Sequence, residues 1–558
     1  MSVLKRIDEL SGNPKVRRSW FALACAFFLI IIVIPSIFVV TKILTEWDLV
    51  NNILSDASTM DIIMGAVWNS FSIAFIVTVI DILVGLPMAW IMVRREFRGK
   101  NVLDTLMDLP LAFPTAVLGL SVVVFWAVPP EGITVPGLGL GITPYMLVVL
   151  LHIIFTYPYM VRSLSAILEQ IEPNYETAAM TLGASRWTAV RTITLPLFRA
   201  GLATGFILCF ARSLSETGGT NIALLLMGAI TDDGGTFFTG PTFIAWMKTA
   251  FGGATSPEAM GAMILISVIM IVFALILLVV VRKVMMGFRI PIKKVWPDIG
   301  RKVSRGLLPK AKDVLAMAFL LFVVLIPSFY IFAFLTQPTG DIDFGGLLSA
   351  TGTSFLVAGV AVAVDIVFGM PVAIYIARNK GNRLADVLDE LVNVPLIIPT
   401  TALGFSLALF WGSFGFSDSV ALMLVVLGHI SFTYPLVVRN LVGAIEEVDP
   451  SYEEIAITLG AKPFQAFRKI LFPIIKSSVL AGGILAFTRS LGETGATVAI
   501  SDSVNTIPIY ITNLVKAGMA GEYTMFAEAA MCSIVLIAIC FVLMMVIRAM
   551  SQGGDRDA

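Results

Sequence analysis

The amino-acid sequence predicts an all-α polytopic membrane protein of about 12 transmembrane helices, arranged as two parallel six-helix repeats. Three observations support this fold class. Of the 558 residues, 58% are hydrophobic and 14% are charged, whereas soluble domains have about 45–50% apolar and about 25% charged residues. Twelve apolar runs approach or exceed the roughly 20 residues that cross a bilayer as a helix. A motif in the first half of the chain also returns 277 residues later.

The composition argues against several classes of protein. Lys plus Arg and Asp plus Glu each number 38, so we do not expect a nucleic-acid partner bound by a basic face. The four cysteines lie in apolar runs without CxxC spacing, and the chain has two histidines. A disulfide framework and a zinc site are therefore not expected, and we predict no metal site.

The twelve apolar runs end at charged residues or at clusters of proline and glycine. Their approximate limits are 19–43, 64–93, 109–128, 142–164, 199–225, 258–281, 312–336, 350–377, 393–412, 418–441, 476–500 and 525–547. The first run follows several basic residues, as a signal peptide does, but it is too long for one and lacks a small-residue cleavage site. We interpret it as a retained span.

The distribution of charge between the runs predicts the orientation. Short loops rich in Lys and Arg tend to face the cytoplasm, and the basic segments 94–100, 282–312 and 378–383 alternate with loops that carry aspartate. Those aspartates are Asp61, Asp232, Asp233, Asp341, Asp343 and Asp502. We predict a multi-pass protein of the cell (cytoplasmic) membrane with both termini in the cytoplasm. Anionic membrane lipid is expected to attract the basic segment 282–312.

The chain contains an internal duplication. HIIFTYPYMVRSL at 152–164 is matched by HISFTYPLVVRNL at 429–441. Each half holds six predicted spans, an even number, so both halves insert in the same orientation and the polar pathway is expected between them. The sequence divides into a first half at 1–281, a basic cytoplasmic linker at 282–312 and a second half at 313–558.

A polar segment follows the fourth span of each half, at 169–200 and at 446–477. Acidic residues near its start and a later glycine predict a short helix, a turn and a second helix. Both segments resemble the ATPase-docking loop of ABC importer permeases, whose pattern is EAA-x3-G-x9-I-x-LP. The docking residues predicted from this resemblance are Glu176, Ala178, Ala179, Gly183, Ile193, Pro196, Glu453, Glu454, Ala456, Gly460, Ile470 and Pro473.

The two copies depart from the pattern at different positions. Thr177 replaces the glutamate in the first copy, whereas Ile455 and Phe472 replace an alanine and a leucine in the second. The sequence therefore leaves open whether the two docking loops are equivalent.

The resemblance implies a type I ABC importer permease fold, with two normally separate subunits fused in one chain. It also implies a transport subunit and not an enzyme. The chain has no GxxxxGK[ST] phosphate-binding loop, so no cofactor is expected on it. The family implies that a cytoplasmic ABC ATPase dimer binds ATP and Mg and that an extracytoplasmic solute-binding protein delivers the substrate.

The fifth span of each half carries a polar motif, RSLSETGGT at 212–220 and RSLGETGAT at 489–497. Its charged residues are expected near the membrane midplane, where an ionisable group costs at least about 2.5–3.5 kcal/mol and marks a functional site. Arginine and glutamate four residues apart share one helix face and can pair. The predicted substrate-pathway residues are Arg212, Ser213, Glu216, Thr217, Gly218, Thr220, Arg489, Ser490, Glu493, Thr494, Gly495 and Thr497. The alternative is a purely structural ion pair.

This motif resembles the corresponding helix of molybdate, tungstate and sulfate permeases and the second halves of phosphate permeases, which implies an oxyanion substrate. Ferric iron, thiamine, polyamine or another small solute remain alternatives within the superfamily. A secondary transporter driven by an ion gradient is a rival, since Asp81 and Asp365 lie within the second spans. The equivalent His152 and His429 are either pH sensors or core histidines bonded to a neighbouring helix.

Overall fold

The computed structural model describes residues 3–231, 234–251, 256–287, 307–336, 342–416, 420–501 and 503–554. Within these ranges nine helices are long and apolar enough to cross a membrane, or up to twelve if three bent pairs each form one span. The predicted all-α polytopic fold is confirmed. Residues outside the described ranges include most of the predicted linker, at 288–306, and the loop aspartates Asp232, Asp233, Asp341 and Asp502.

The twelve spans follow the predicted runs in order. Spans 1 to 6 are Pro14–Thr45, Ala57–Arg94, Lys100–Leu111 with Thr115–Trp126, Pro144–Gln170, Arg186–Phe198 with Leu202–Leu214, and Pro257–Leu277. Spans 7 to 12 are Lys310–Thr336, Phe344–Arg378, Arg383–Ile397 with Thr400–Gly412, Ala421–Glu446, Pro463–Leu491, and Thr524–Leu543.

Shorter elements connect the spans. The helices among them are Val3–Ser11, Trp47–Ser55, Pro173–Thr181, Gly218–Leu226, Gly240–Ala250, Ser451–Thr458, Gly495–Ile500 and Ile507–Met519. Strands β1 (Ile230–Thr231) and β2 (Gly234–Gly235) pair antiparallel.

Spans 3 and 9 differ from the straight runs predicted at 109–128 and 393–412. Each begins about ten residues earlier and bends, by 105° in span 3 and by 106° in span 9. Pro114 and Pro399 stand at the bends, and each preceding residue has extended backbone, with φ −75° and ψ 130°. A proline lacks the N–H that continues a helix and disfavours helical backbone in the residue before it.

The first span of each half packs against the opposite half. The Ser406 hydroxyl of span 9 makes two hydrogen bonds to the backbone of span 1. It donates to the Pro35 carbonyl at 2.7 Å and accepts from the Val39 N–H at 2.9 Å. It thereby bridges a hydrogen bond that the helix would otherwise make internally. In the equivalent contact, Ser121 of span 3 donates to the Pro327 carbonyl of span 7 at 2.6 Å. The two halves therefore exchange their first spans.

Candidate functional site

The predicted substrate-pathway motif lies at a break in spans 5 and 11. The sequence predicts continuous runs at 199–225 and 476–500, and this prediction is wrong where three residues leave the helix in each span. The residues that flank the breaks are Leu214 and Gly218 in the first half, and Leu491 and Gly495 in the second. Each glutamate of the motif therefore lies just beyond a helix end and not on a helix face.

Both glutamates hold an arginine and cap a helix at the same time. Glu216 accepts a hydrogen bond from Arg212 at 2.8 Å through one oxygen and from the Gly219 N–H at 3.0 Å through the other. In the second half, Glu493 pairs with Arg489 at 2.6 Å and accepts from a backbone N–H at 2.9 Å. A carboxylate at a helix N-terminus is favourable because the unpaired N–H groups there carry partial positive charge. The predicted pairing therefore forms with a different backbone geometry.

The arginine is the more accessible member of each pair. The side chains of Glu216 and Glu493 are 2% and 3% exposed, whereas those of Arg212 and Arg489 are 18% and 22% exposed. The two guanidinium carbons also lie 4.7 Å and 5.1 Å from the centres of the Phe155 and Phe432 rings. Stacking of this kind stabilises a cation while its edge stays free to donate.

The two arginines, one from each half, line a single pocket. Its empty volume is about 390 Å³, including space open to solvent. The other lining residues are Pro110, Leu111, Phe113, Pro114, Thr115, Phe155, Tyr159, Thr488 and Gly492. Because both arginines precede the helix breaks, this pocket lies on the side of the breaks that leads to the predicted docking loops.

Beyond the pocket the breaks of spans 5 and 11 meet directly. The Thr217 hydroxyl, in the break of span 5, is also hydrogen-bonded to the hydroxyl of Thr401, which belongs to span 9 in the second half. A Cβ added at Gly218 would lie 2.5 Å from the Thr494 hydroxyl, and one at Gly495 would lie 2.6 Å from the Thr217 hydroxyl. All of these residues are buried. Glycine allows this close approach of the two backbones, and the contact closes the pocket at this end.

Each histidine is hydrogen-bonded to a residue on either side of a helix break. His152 contacts the Ser213 hydroxyl at 2.7 Å, before the break, and the Thr220 hydroxyl at 2.9 Å, after it. His429 makes the equivalent contacts at 2.6 Å and 3.0 Å. The predicted pathway residues Ser213, Thr220, Ser490 and Thr497 are therefore buried against a histidine, away from the pocket. The geometry matches the core-histidine interpretation.

Replacing His152 with phenylalanine is expected to lower the free energy of unfolding by about 2–3 kcal/mol, since two buried hydroxyls lose their partner. Thermal unfolding in detergent measures this loss, and His429→Phe is the matched variant in the other half. A glutamine at position 152 restores part of the hydrogen bonding and is expected to be milder. Equal losses for glutamine and phenylalanine would contradict this role.

The carboxyl groups of Asp81 and Asp365 are buried away from the pocket. Asp81 accepts a hydrogen bond from Thr156 at 2.6 Å, and Asp365 accepts one from Thr433 at the same distance. Each bond joins the second span of a half to its fourth span. This arrangement favours a structural function over the ion-driven alternative.

The predicted docking loops have the expected helix, turn and helix. Gly183 and Gly460 stand at the turns with φ of +94°, a left-handed conformation that disfavours other residues. Glu176 is buried and accepts a hydrogen bond from Thr194 at 2.6 Å. This contact ties the first helix of the loop to the start of span 5, so this predicted docking residue points inward.

An arginine at the end of the second span of each half holds the docking loop. Arg94 donates to the Ile171 carbonyl at 2.5 Å, and Arg378 donates to the Val448 carbonyl at 2.8 Å. Arg378 also pairs with Glu453 at 2.6 Å. These bonds therefore join each predicted docking loop directly to the end of a transmembrane helix.

Both loops expose a cluster of apolar side chains. Leu182 is 90% exposed and Leu459 is 83% exposed, and these leucines occupy equivalent positions of the repeat. Further exposed apolar side chains are Tyr175, Met180 and Trp187 in the first loop and Tyr452, Ile455 and Ile457 in the second. The smaller predicted residues Ala178 and Ala179 lie among the first group, Ala456 among the second, and Ile193, Pro196, Ile470 and Pro473 lie after the turns. Exposed apolar surface of this kind typically marks a protein interface.

The sequence matches the profile of the family described as binding-protein-dependent transport system inner membrane component, at residues 81–288 and again at 369–553. These matches cover more than half of the chain and fall one in each half. The chain belongs to this family. The permease therefore combines two family units in one polypeptide, as the internal repeat predicts, and it is a transport component and not an enzyme.

Relatives of the permease include proteins named for oxyanion transport. The chain is 40% identical over 147 residues to the sulfate transport system permease protein CysT of Escherichia coli, covering 26% of this chain and 53% of that one. It is 40% identical over 171 residues to the probable sulfate transport system permease protein cysT of Anthoceros angustus, with coverages of 30% and 59%. With the molybdenum transport system permease protein ModB of Escherichia coli it shares 37% identity over 162 residues, with coverages of 27% and 70%. The permease thus spans little more than half the length of the two sulfate relatives.

Some pocket residues are absent from the sequence-based prediction. Phe155 lies within the repeated HxxFTYP segment, Tyr159 directly follows it, and Thr488 directly precedes Arg489. The repeat itself was a signal for Phe155, because the second half has Phe432 in the equivalent position. Tyr159 has no such signal, since Leu436 is its counterpart.

Proposed function

We propose that the permease is the transmembrane subunit of an ATP-driven importer and forms the pathway for a tetrahedral oxyanion such as molybdate, tungstate, sulfate or phosphate. The observation that carries this proposal is the pocket that Arg212 and Arg489 share between the two halves. Each guanidinium uses one nitrogen on its own glutamate, which leaves other N–H groups for the oxygens of an anion. The names of the sulfate and molybdenum relatives support the same substrate class.

The two Arg–Glu ion pairs suit weak, reversible binding of an anion better than tight binding. Each arginine is neutralised by a buried carboxylate, so an oxyanion entering the pocket meets hydrogen-bond donors without a large net positive charge. A transport pathway must bind its substrate weakly enough to release it. Two arginines without carboxylate partners would bind a divalent anion more tightly and slow its release.

The proposed partners are a cytoplasmic ABC ATPase dimer and an extracytoplasmic solute-binding protein. The exposed apolar faces around Leu182 and Leu459 suit one ATPase subunit each, and the ATPase would bind ATP and Mg. This arrangement requires the docking loops and both termini to face the cytoplasm, as the basic loops indicate. Closure of the ATPase dimer would draw the loops together and alternate the access of the pocket.

Uptake into proteoliposomes tests the proposal. The liposomes contain the permease with its neighbouring-gene ATPase and the candidate binding protein, and labelled molybdate, sulfate and phosphate compete with and without ATP. We expect ATP-dependent uptake of an oxyanion and a loss of about tenfold in the Gly183→Leu and Gly460→Leu variants, since a left-handed backbone costs a side chain about 1–2 kcal/mol.

Gly521→Leu is the matched control. Gly521 also has a positive φ, of +108°, and open space around its Cβ position, but lies between the helix Ile507–Met519 and span 12. Equal losses in all three variants would indicate general destabilisation. Uptake driven by an ion gradient without the ATPase would overturn the proposed function.

A further inference from the structure

The second helices of the two docking loops are capped differently. In the first loop, the helix Arg186–Ala189 begins after Ser185, whose hydroxyl accepts a hydrogen bond from the Thr188 N–H at 3.2 Å. In the second loop, Lys462 occupies the equivalent position before the helix Pro463–Ala466, and its side chain makes no capping hydrogen bond. A lysine side chain carries donors only, so it cannot accept from a backbone N–H.

The N-terminal helix, Val3–Ser11, supplies the missing cap. The Ser11 hydroxyl accepts a hydrogen bond from the Phe464 N–H at 3.2 Å, at the second position of the helix, which an N-cap side chain normally satisfies. The same hydroxyl donates its own proton to the Asp8 carbonyl at 2.8 Å. Its lone pairs are therefore left free to accept, and the serine is suited to this function.

One ion pair also holds the N-terminal helix on the second loop, and the end of this helix lies beside Lys462. The Asp8 carboxylate pairs with Arg468 at 3.2 Å, in the helical segment Phe467–Leu471 that directly follows the helix Pro463–Ala466. A Cβ at Gly12 would lie 3.5 Å from the Lys462 side chain, within ordinary contact distance. The N-terminal helix thus meets the helix Pro463–Ala466 at its first turn, lies beside the preceding Lys462, and pairs with the helical segment that follows.

We propose that the N-terminal helix is part of the second ATPase-docking surface and positions the ATPase subunit beneath it, whereas the first loop carries its own cap. This inference rests on the proposed function, because it assigns the ATPase to the two loops. It makes the two docking sites unequal, with one of them dependent on a segment more than 450 residues away in the sequence.

Docking at each loop can be measured separately in the full-length permease. A fluorophore is attached to Gln170→Cys or to Glu447→Cys, equivalent exposed positions at the start of each loop and outside its apolar cluster, in a Cys25→Ala background, and the purified ATPase is titrated. We expect Ser11→Ala to weaken docking about fivefold at position 447 and to leave position 170 unchanged, since loss of an N-cap is worth about 1 kcal/mol. Adding Lys462→Ser, which lets the second loop cap itself, is expected to restore the affinity.

The controls separate this inference from the proposed function. Ser185→Ala removes the cap of the first loop and is expected to weaken docking at position 170 only. An unchanged signal at position 447 in Ser11→Ala, or failure of Lys462→Ser to restore an affinity that was lost, would overturn the inference while ATPase docking itself stands. Absence of any ATPase signal at both positions of the otherwise unaltered permease would instead overturn the proposed docking function, and the inference with it.

Discussion

Replacing Gly119 with alanine is expected to lower the free energy of unfolding of the permease by about 3 kcal/mol, the upper part of the range for an overpacked core. A Cβ at this position would lie 2.3 Å from the Gly219 carbonyl oxygen and 2.9 Å from its Cα. Both obstacles are backbone atoms, which cannot turn aside as a side chain would. The helix after the break in span 5 would therefore have to move away from span 3.

The contact is reciprocal, which sharpens the expectation. A Cβ at Gly219 would lie 2.3 Å from the Thr115 carbonyl oxygen, so the two helices touch through their backbones on both sides. Since Thr115 lines the pocket and Gly219 donates to Glu216, separating the helices would also disturb the Arg212 pair. Gly119→Ala is thus expected to reduce uptake as well as stability.

Gly352→Ala is the control for this prediction. Gly352 lies within span 8, is exposed, and has no atom within 4 Å of its Cβ position. Alanine is favoured over glycine in a helix by up to about 1 kcal/mol, so this variant is expected to be neutral or slightly more stable. Thermal unfolding in detergent compares the two variants. Similar midpoints for both would show that the backbone contact at Gly119 does not limit packing.

The sequence predicts the number of spans but not their partners. Apolar runs and the charges between them are local signals, and so is the weakness of a helix around Pro114. The exchange of spans 1 and 7 between the halves has no local signal. It depends on contacts such as Ser406 with Pro35, which are 371 residues apart, and a serine in an apolar run does not reveal which helix it will meet.

The charged part of the candidate site was predictable and its surroundings were not. The spacing of Arg212 and Glu216 predicts their ion pair, and the pair forms although Glu216 lies beyond the end of the helix. The break itself arises because Glu216 caps a new helix while His152 holds Ser213 and Thr220 on its two sides. These bonds come from span 4 and from the tertiary fold, so a helical pattern read along span 5 alone extends through them.

Replacing Glu216 with glutamine is expected to destabilise the permease by about 3 kcal/mol. Loss of one partner of a buried ion pair leaves the other charge uncompensated, at about 3–5 kcal/mol, and the lower figure applies because Arg212 is partly exposed to the pocket. The substitution keeps the shape of the side chain and an oxygen for the Gly219 N–H. The measured loss therefore reports the charge of the carboxylate. Glu493→Gln is the equivalent change in the second half and is expected to behave alike.

The double variant Arg212→Met with Glu216→Gln separates a structural ion pair from a substrate pathway. Removing both charges leaves no unpaired ion, so most of the stability lost in Glu216→Gln is expected to return. If Arg212 donates to the passing anion, ATP-dependent oxyanion uptake will remain low in this stable variant. Uptake that recovers together with the unfolding midpoint would show that the pair only holds the helix break together. The comparison is informative because stability is expected to recover from the single to the double variant, whereas transport is expected to stay low.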